Sequence, residues 1–275
     1  MNIDELITEY REEGYSLADA RSTVCHDIVL SKIKKSKFKE HITIKGGVVM
    51  HNISNSMRRA TQDLDMDFIK YSLSDESIKE FINKLDKVED GIKIEILGKI
   101  EELRHQDYSG KRVFIRISDN YGNWLENKID LGVQKQFDIE QEEYFFNLSS
   151  LDNSICLLIN SPEQIFTEKL KSLLKLGVRS GRYKDLFDFY YLLNDVSLDK
   201  QKLLKCFNLL IYEDNAMKEN NIYDIYSRLE SIFNSRVYRS NLNNPKNNWL
   251  DIEVNTAIDS VLNYINELSK ENVAI

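Results

Sequence analysis

The chain has 275 residues, room for one large domain or two smaller ones, and its 42% hydrophobic and 30% charged content is that of an ordinary folded protein. Its longest apolar runs, Val48-Val49-Met50 and Cys156-Leu157-Leu158-Ile159, are far shorter than the roughly 20 residues of a membrane span, and with 2 Pro and 10 Gly it is too poor in turn residues for a turn-dense all-β fold. The net charge of −8 speaks against a polyanion-binding protein on average.

Charge is segregated, however. Lys32, Lys34, Lys35, Lys37 and Lys39 form one basic run; Lys169, Lys171, Lys175, Arg179, Arg182 and Lys184 form another. Either could meet phosphates locally. Cys25, Cys156 and Cys206 are scattered and lack any C-x-x-C spacing, which fits reduced core cysteines and not a zinc site or a disulfide framework. No basic segment followed by an apolar one opens the chain, so a cytoplasmic protein without a membrane partner is expected.

The first forty residues are expected to be helical. Ser16 can cap a helix with Asp19 at its third position, and Leu17, Ala20, Val24 and Ile28 form a stripe. His41 to Ile44 is a short strand ended by Lys45-Gly46-Gly47, and a helix-compatible segment follows. Leu64 to Ile69 alternates apolar and charged residues, the pattern of a half-buried strand. Ser74 opens a helix to about Lys87. Ile92–Ile96, Val113–Ile117 and Lys128–Val133 alternate again, with Asp119-Asn-Tyr-Gly122-Asn as a turn between the last two. At Ser161-Pro162-Glu163-Gln164 the character changes, because Ser as N-cap, Pro at the first position and Gln at the third make a strong helix start. Helical periodicity runs from there to the end, interrupted near Gly177–Gly181 and by the Asn-rich stretch Asn241–Asn248, which offers no obvious chemistry. The fold class expected is α+β over residues 1–158, with a helical segment over 1–40, followed by an α-helical domain over 159–275.

One strand concentrates chemistry. Period two puts Asp63, Asp65 and Asp67 on one face and Leu64, Met66 and Phe68 on the other. Alternate carboxylates repel unless a cation or solvent compensates, and they can grip one or two Mg²⁺ ions while leaving room for phosphates. Alone, such a strand reads first as a solvated charged face. A calcium loop does not fit, since Leu64 and Met66 are bulky and Phe68 stands where its glycine belongs. Gly46-Gly47 changes the weighting: directly after a strand, paired glycines let the backbone approach a phosphate at a helix N-terminus. Together the two motifs divide the work of phosphoryl transfer, one holding the triphosphate and the other its metal. Asp130 in a later strand could serve as general base or third metal ligand, or lie exposed. In the helical domain Lys169 could neutralise phosphate charge or simply be solvated. Asp185 and Asp188 share a helix face one turn apart, positioned to orient Lys169 or Arg182 or to cap the helix.

Lys45-Gly46-Gly47, Arg59-x-Thr61-x-Asp63-x-Asp65, Lys128-Ile-Asp130, Ser161-Pro-Glu-x-Ile-x-x-Glu-Lys169-Leu and Arg182-x-Lys184-Asp185-Leu-x-Asp188, in that order, resemble the AbiEii family of nucleotidyltransferase-like toxins from type IV toxin–antitoxin and abortive-infection systems. The resemblance spans roughly residues 41 to 193. It implies a polymerase-β-like nucleotidyltransferase core with a mixed sheet, an NTP substrate, Mg²⁺ with two ions expected, and an RNA acceptor, with transfer to a tRNA 3′ end known for some members. It further implies a cognate antitoxin encoded nearby. By motif, Lys45, Gly46, Gly47, Thr61, Lys169 and Arg182 are the nucleotide-binding residues; Asp63, Asp65 and Asp130 bind metal; and Asp63, Asp65, Asp130, Lys169 and Asp185 are catalytic. Val48 departs from the Ser that many nucleotidyltransferases carry after the Gly pair, so phosphate binding must rely on backbone. Asp67 extends the usual acid pair and has no assigned role. Two other functions remain open at this point: a catalytically silent nucleotide- or partner-binding protein, and a metal-dependent RNase toxin.

Overall fold

The computed structural model describes residues 1–103, 110–148 and 153–272. Two compact units divide the chain, Met1–Asn160 and Ser161–Ile275.

In the first unit, helices α1 (Ile3–Glu12) and α2 (Leu17–Lys35) precede strand β1 (Ile42–Lys45), helix α3 (Gly46–Ser54) and strand β2 (Leu64–Phe68). Helix α4 (Asp75–Asp86) then leads to β3 (Ile92–Leu103), β4 (Gly110–Asp119), β5 (Trp124–Val133), β6 (Glu142–Leu148) and β7 (Asn153–Ile159). The strands form one sheet in the order β3-β4-β5-β2-β1-β7-β6. β2 runs parallel to β5 and β1 parallel to β7, while the other pairs are antiparallel. The sheet is therefore mixed and the unit α+β, as expected.

Alternation decides which face is covered. Leu64, Met66 and Phe68 of β2, with Ile42 and Ile44 of β1 and Ile129 and Leu131 of β5, are all buried. α2 packs against β5 and β7, and α4 against β3. Both helices start as their sequences dictate: the Ser16 and Ser74 side chains accept from the N–H groups of Asp19 and Ser77. Lys32, expected to be an exposed member of the first basic run, is instead fully buried. Its ammonium reaches Asp90 Oδ1 at 2.7 Å and the carbonyls of Ile92 at 2.8 Å and Val88 at 3.2 Å, tying α2 to the turn before β3. A buried ammonium is tolerable only when its donors are met in this way, so Lys32 is structural; Lys35, Lys37 and Lys39 stay exposed.

Two strands exceed or escape the sequence reading. β3 continues past Ile96 because the ladder shifts register between Leu97 and Glu101, beside Gly98 at φ +67°. β6 is an edge strand whose consecutive Tyr144, Phe145 and Phe146 hide its alternation; Phe146 is buried and Phe145 exposed.

In the second unit the described residues hold helices α5 (Pro162–Leu176), α6 (Lys184–Asn194), α7 (Lys200–Phe207), α8 (Ile222–Phe233), α9 (Arg236–Leu242) and α10 (Val254–Asn272), and no strand. The Ser161 hydroxyl accepts from Gln164 N–H at 3.2 Å, with Pro162 at the first helical position. α10 packs on α8 and α6, and α5 on α6 and α7. No helix among the described residues is long and apolar enough to cross a membrane.

Candidate active site

β1 runs into α3 without a loop. Lys45 ends the strand with extended backbone (φ −142°, ψ −176°) and gives α3 no side-chain cap. Gly46 then turns the chain with φ +68°, a conformation that favours glycine. The absence of a Cβ matters at both glycines. One at Gly46 would sit 2.5 Å from Asp65 Oδ2, and one at Gly47 would sit 2.6 Å from Thr61 Oγ1 and 2.8 Å from Thr61 Cβ. The first turn of α3 therefore lies directly on Thr61 and Asp65. That contact joins the two motifs whose proximity the sequence only suggested.

This closeness predicts a contrast. Gly47→Ala must displace Thr61 close to its backbone and is expected to cost roughly 1–3 kcal/mol in urea unfolding, as overpacked sites do. Gly181→Ala meets nothing within 4 Å and should stay within about 0.5 kcal/mol of the parent. Equal effects at both positions would refute the close-approach account.

Strand pairing then builds a charged row. Lys45 of β1 is paired with Asp65 of β2, Asp65 with Asp130 of β5, and Asp130 with Arg112 of β4. Directly paired residues project from the same face. Two acids thus lie side by side at the centre of the row with a basic residue on either flank. Arg112 holds Asp130 bidentately, Nε to Oδ1 and Nη2 to Oδ2, both at 2.7 Å. Asp130 is nearly buried, and its carboxylate, followed by the charges of Asp130, Asp63 and Glu101, holds the Arg112 guanidinium above its ordinary range. Asp63, about half exposed, pairs with Lys128 at 2.8 Å.

Asp67 now has a place. Its carboxylate lies 2.7 Å from Lys45 Nζ, and both side chains are almost fully buried. The third acid of the strand therefore anchors Lys45. The expectation that Lys45 contacts nucleotide meets an ammonium already engaged beneath the Gly46 turn.

Sequence reasoning missed the support beneath this segment. His26 of α2 is hydrogen-bonded to the backbone of Gln62, between Thr61 and Asp63. Burial, reinforced by nearby His51, lowers His26 to about 4. His51 of α3 is likewise lowered to about 4, by burial and then by Arg59, and its Nε2 lies 2.9 Å from the Tyr15 hydroxyl. Both rings are neutral at pH 7. A histidine on the buried face of a helix carried no signal that would separate this role from ordinary packing.

Among the described residues no three Asp, Glu, His or Cys side chains converge into a group that could hold a metal ion unaided. The donor set nevertheless suits Mg²⁺, which takes oxygen ligands and commonly uses one or two carboxylates plus substrate phosphates. Asp65 and Asp130 are cross-strand partners, and the space a Cβ at position 46 would fill is where the Asp65 carboxylate meets α3.

The second unit has its own buried polar cluster. Lys169 on α5 reaches Asp185 Oδ1 at 2.6 Å and Asp188 Oδ2 at 2.8 Å on α6. Arg182 Nε lies 3.1 Å from Asp185 Oδ2. Trp249 donates its indole N–H to Asp188 Oδ1 at 3.0 Å. The one-turn spacing of Asp185 and Asp188 does orient Lys169, as one of the sequence alternatives held. Trp249 was not anticipated, because it follows the Asn-rich stretch that showed no chemistry of its own. Of the second basic run, Lys171 is also engaged, by Asp214.

An α+β unit with carboxylates against a glycine-led helix start, followed by a helical unit, is the setting in which the sequence motifs fall. The family model described as "Nucleotidyl transferase AbiEii toxin, Type IV TA system" matches residues 28–256, and the chain belongs to that family. It stands thereby among the nucleotidyltransferase toxins of type IV toxin–antitoxin systems. One solved structure similar to it is the crystal structure of an antigenic nucleotidyltransferase-like protein from Paracoccidioides brasiliensis. That likeness has 16% identity and a TM-score of 0.42, covering 78% of this chain and 91% of the other. Among curated proteins there is no match.

Proposed function

We propose that this protein transfers a nucleotide from an NTP to an acceptor hydroxyl, expected to be an RNA 3′ end and specifically that of tRNA, in the cytoplasm. The observation that supports this most is the Asp65–Asp130 cross-strand pair beside the glycine-led start of α3, in a chain of the AbiEii family. In the reaction the acceptor oxygen forms a bond to the α-phosphorus, the bond to the bridging oxygen breaks, and pyrophosphate leaves with that electron pair. Asp65 and Asp130, with Asp63 proposed as a further ligand once substrate phosphates complete the set, would hold Mg²⁺, which supplies charge neutralisation on the triphosphate and a more acidic attacking hydroxyl. Gly46 and Gly47 let backbone N–H groups of α3 approach the phosphates, with Thr61 alongside. Asp130 accepts the acceptor's proton. Lys169, Asp185 and Arg182 are proposed as residues the activity requires, Lys169 and Arg182 towards nucleotide phosphate. Cell toxicity would follow from blocked tRNA, and a cognate antitoxin would relieve it.

The test is direct. Folded protein is incubated with Mg²⁺, each labelled NTP in turn, and total tRNA or cell lysate. Labelled, lengthened RNA is the expected result. Shortened RNA without NTP consumption would make the protein a nuclease, and no labelling in any combination would end the transferase reading.

A further inference from the structure

The carboxylates of the proposed metal site already hold cations from the chain itself. Arg112 spans both oxygens of Asp130 at 2.7 Å each, and Lys128 lies 2.8 Å from Asp63 Oδ1. The two pairs differ in strength. Asp130 is 7% exposed and gripped by a two-pronged planar fork, whereas Asp63 is 48% exposed and met by one ammonium. A charge-assisted bidentate pair in a poorly solvated setting is the stronger arrangement, and an exposed single contact is weak.

We infer that Arg112 is a place-holding cation: it competes with the divalent ion for Asp130 and must release that carboxylate before the metal site is complete. This rests on the transferase reading above. A divalent ion and a guanidinium on one carboxylate repel each other, and part burial weakens the screening that would otherwise make them compatible. Release has a ready destination, because Glu101 on β3 is the residue paired with Arg112 from the other side and is exposed. With a free metal ion the released guanidinium has only the exposed Glu101 in place of its two-pronged pair, whereas a metal–triphosphate complex brings several further anions. The arrangement therefore disfavours loading by metal alone and favours loading together with nucleotide.

Titration with Mn²⁺ alone, followed by the EPR signal of the free ion, tests this without nucleotide, acceptor or turnover. Arg112→Gln is expected to bind Mn²⁺ roughly tenfold more tightly than the parent, or better, since it removes the stronger competitor. Arg112→Lys, which replaces the fork by a single ammonium, should tighten binding less, and Lys128→Gln should change it by less than about threefold. Near-UV circular dichroism shows whether each variant is folded; if Arg112→Gln is not, Arg112→Lys decides. Folded Arg112 variants that bind Mn²⁺ no more tightly than the parent would overturn the inference and make Arg112 an orienting partner of Asp130. If they bind it more tightly while the parent protein yields no product from any labelled NTP, the transferase reading fails and the competition stands.

Discussion

Asp65→Asn is expected to abolish nucleotide transfer while leaving the protein at least as stable as before. Asp65 sits directly beside Asp130 on the next parallel strand, and like charges facing each other across strands are destabilising. Removing one of them relieves that repulsion without opening a cavity, because Asn has the same shape. Unfolding midpoints in heat or urea should therefore hold or rise slightly. Activity should move the other way. If the Asp65 carboxylate helps to hold the charge-neutralising ion, its loss removes several kcal/mol of transition-state stabilisation, and about 4 kcal/mol is roughly a thousandfold in rate. Labelled-NTP transfer and thermal unfolding on the same preparation check both halves. Retained transfer within about tenfold would remove Asp65 from the chemistry. Lost transfer with a large loss of stability would make the variant a folding defect instead, and the close approach of the Asp65 carboxylate to Gly46 is the contact through which that could happen.

The same strand shows what a sequence makes legible. Asp63, Asp65 and Asp67 fall on one face by period two, and nothing in the local pattern separates the third from the first two. The separation comes from the Lys45 side chain, whose ammonium lies 2.7 Å from Asp67 although the ladder of β1 and β2 pairs Lys45 with Asp65. A register between strands joined through a helix is not written in either strand alone. The β4–β5 hairpin is different. Its turn was recognisable at Asp119–Asn123, and counting back along the ladder from Ser118 opposite Trp124 brings Arg112 opposite Asp130. The Arg112 contact was thus readable in principle. Helix starts at Ser16, Ser74 and Ser161 were legible because capping is a local hydrogen bond. Trp249 was not, since its partner Asp188 lies 61 residues earlier and only the packing of the helical unit brings them together. Lys32 misled for the same reason: a lysine looks solvated until a distant carboxylate, here Asp90, is found beside it.

Lys169→Met should produce the largest loss of stability of any single change considered. Lys169, Asp185 and Asp188 are all nearly or fully buried, with side-chain exposures of 6%, 6% and 0%. Removing the ammonium leaves two carboxylates facing one another without their shared cation. Asp185 keeps Arg182 at 3.1 Å and Asp188 keeps the indole of Trp249 at 3.0 Å, but neither regains the shared ammonium. Breaking a buried ion pair in this way typically costs about 3–5 kcal/mol, a large part of the total stability of an ordinary domain. The measurement is urea unfolding followed by a probe in the helical unit, such as the fluorescence of Trp249. The pairing also predicts non-additivity. Lys169→Met with Asp188→Leu removes one carboxylate together with the cation, and it should be less destabilised than Lys169→Met alone, because a buried carboxylate leaves along with its cation. A Lys169→Met protein that unfolds like the parent would show that the pair contributes little to stability; if it also lost transfer, Lys169 would act on the nucleotide and not on the fold. Should the double variant instead regain stability and still fail to transfer nucleotide, Lys169 serves both, with its two aspartates holding the ammonium where the chemistry needs it.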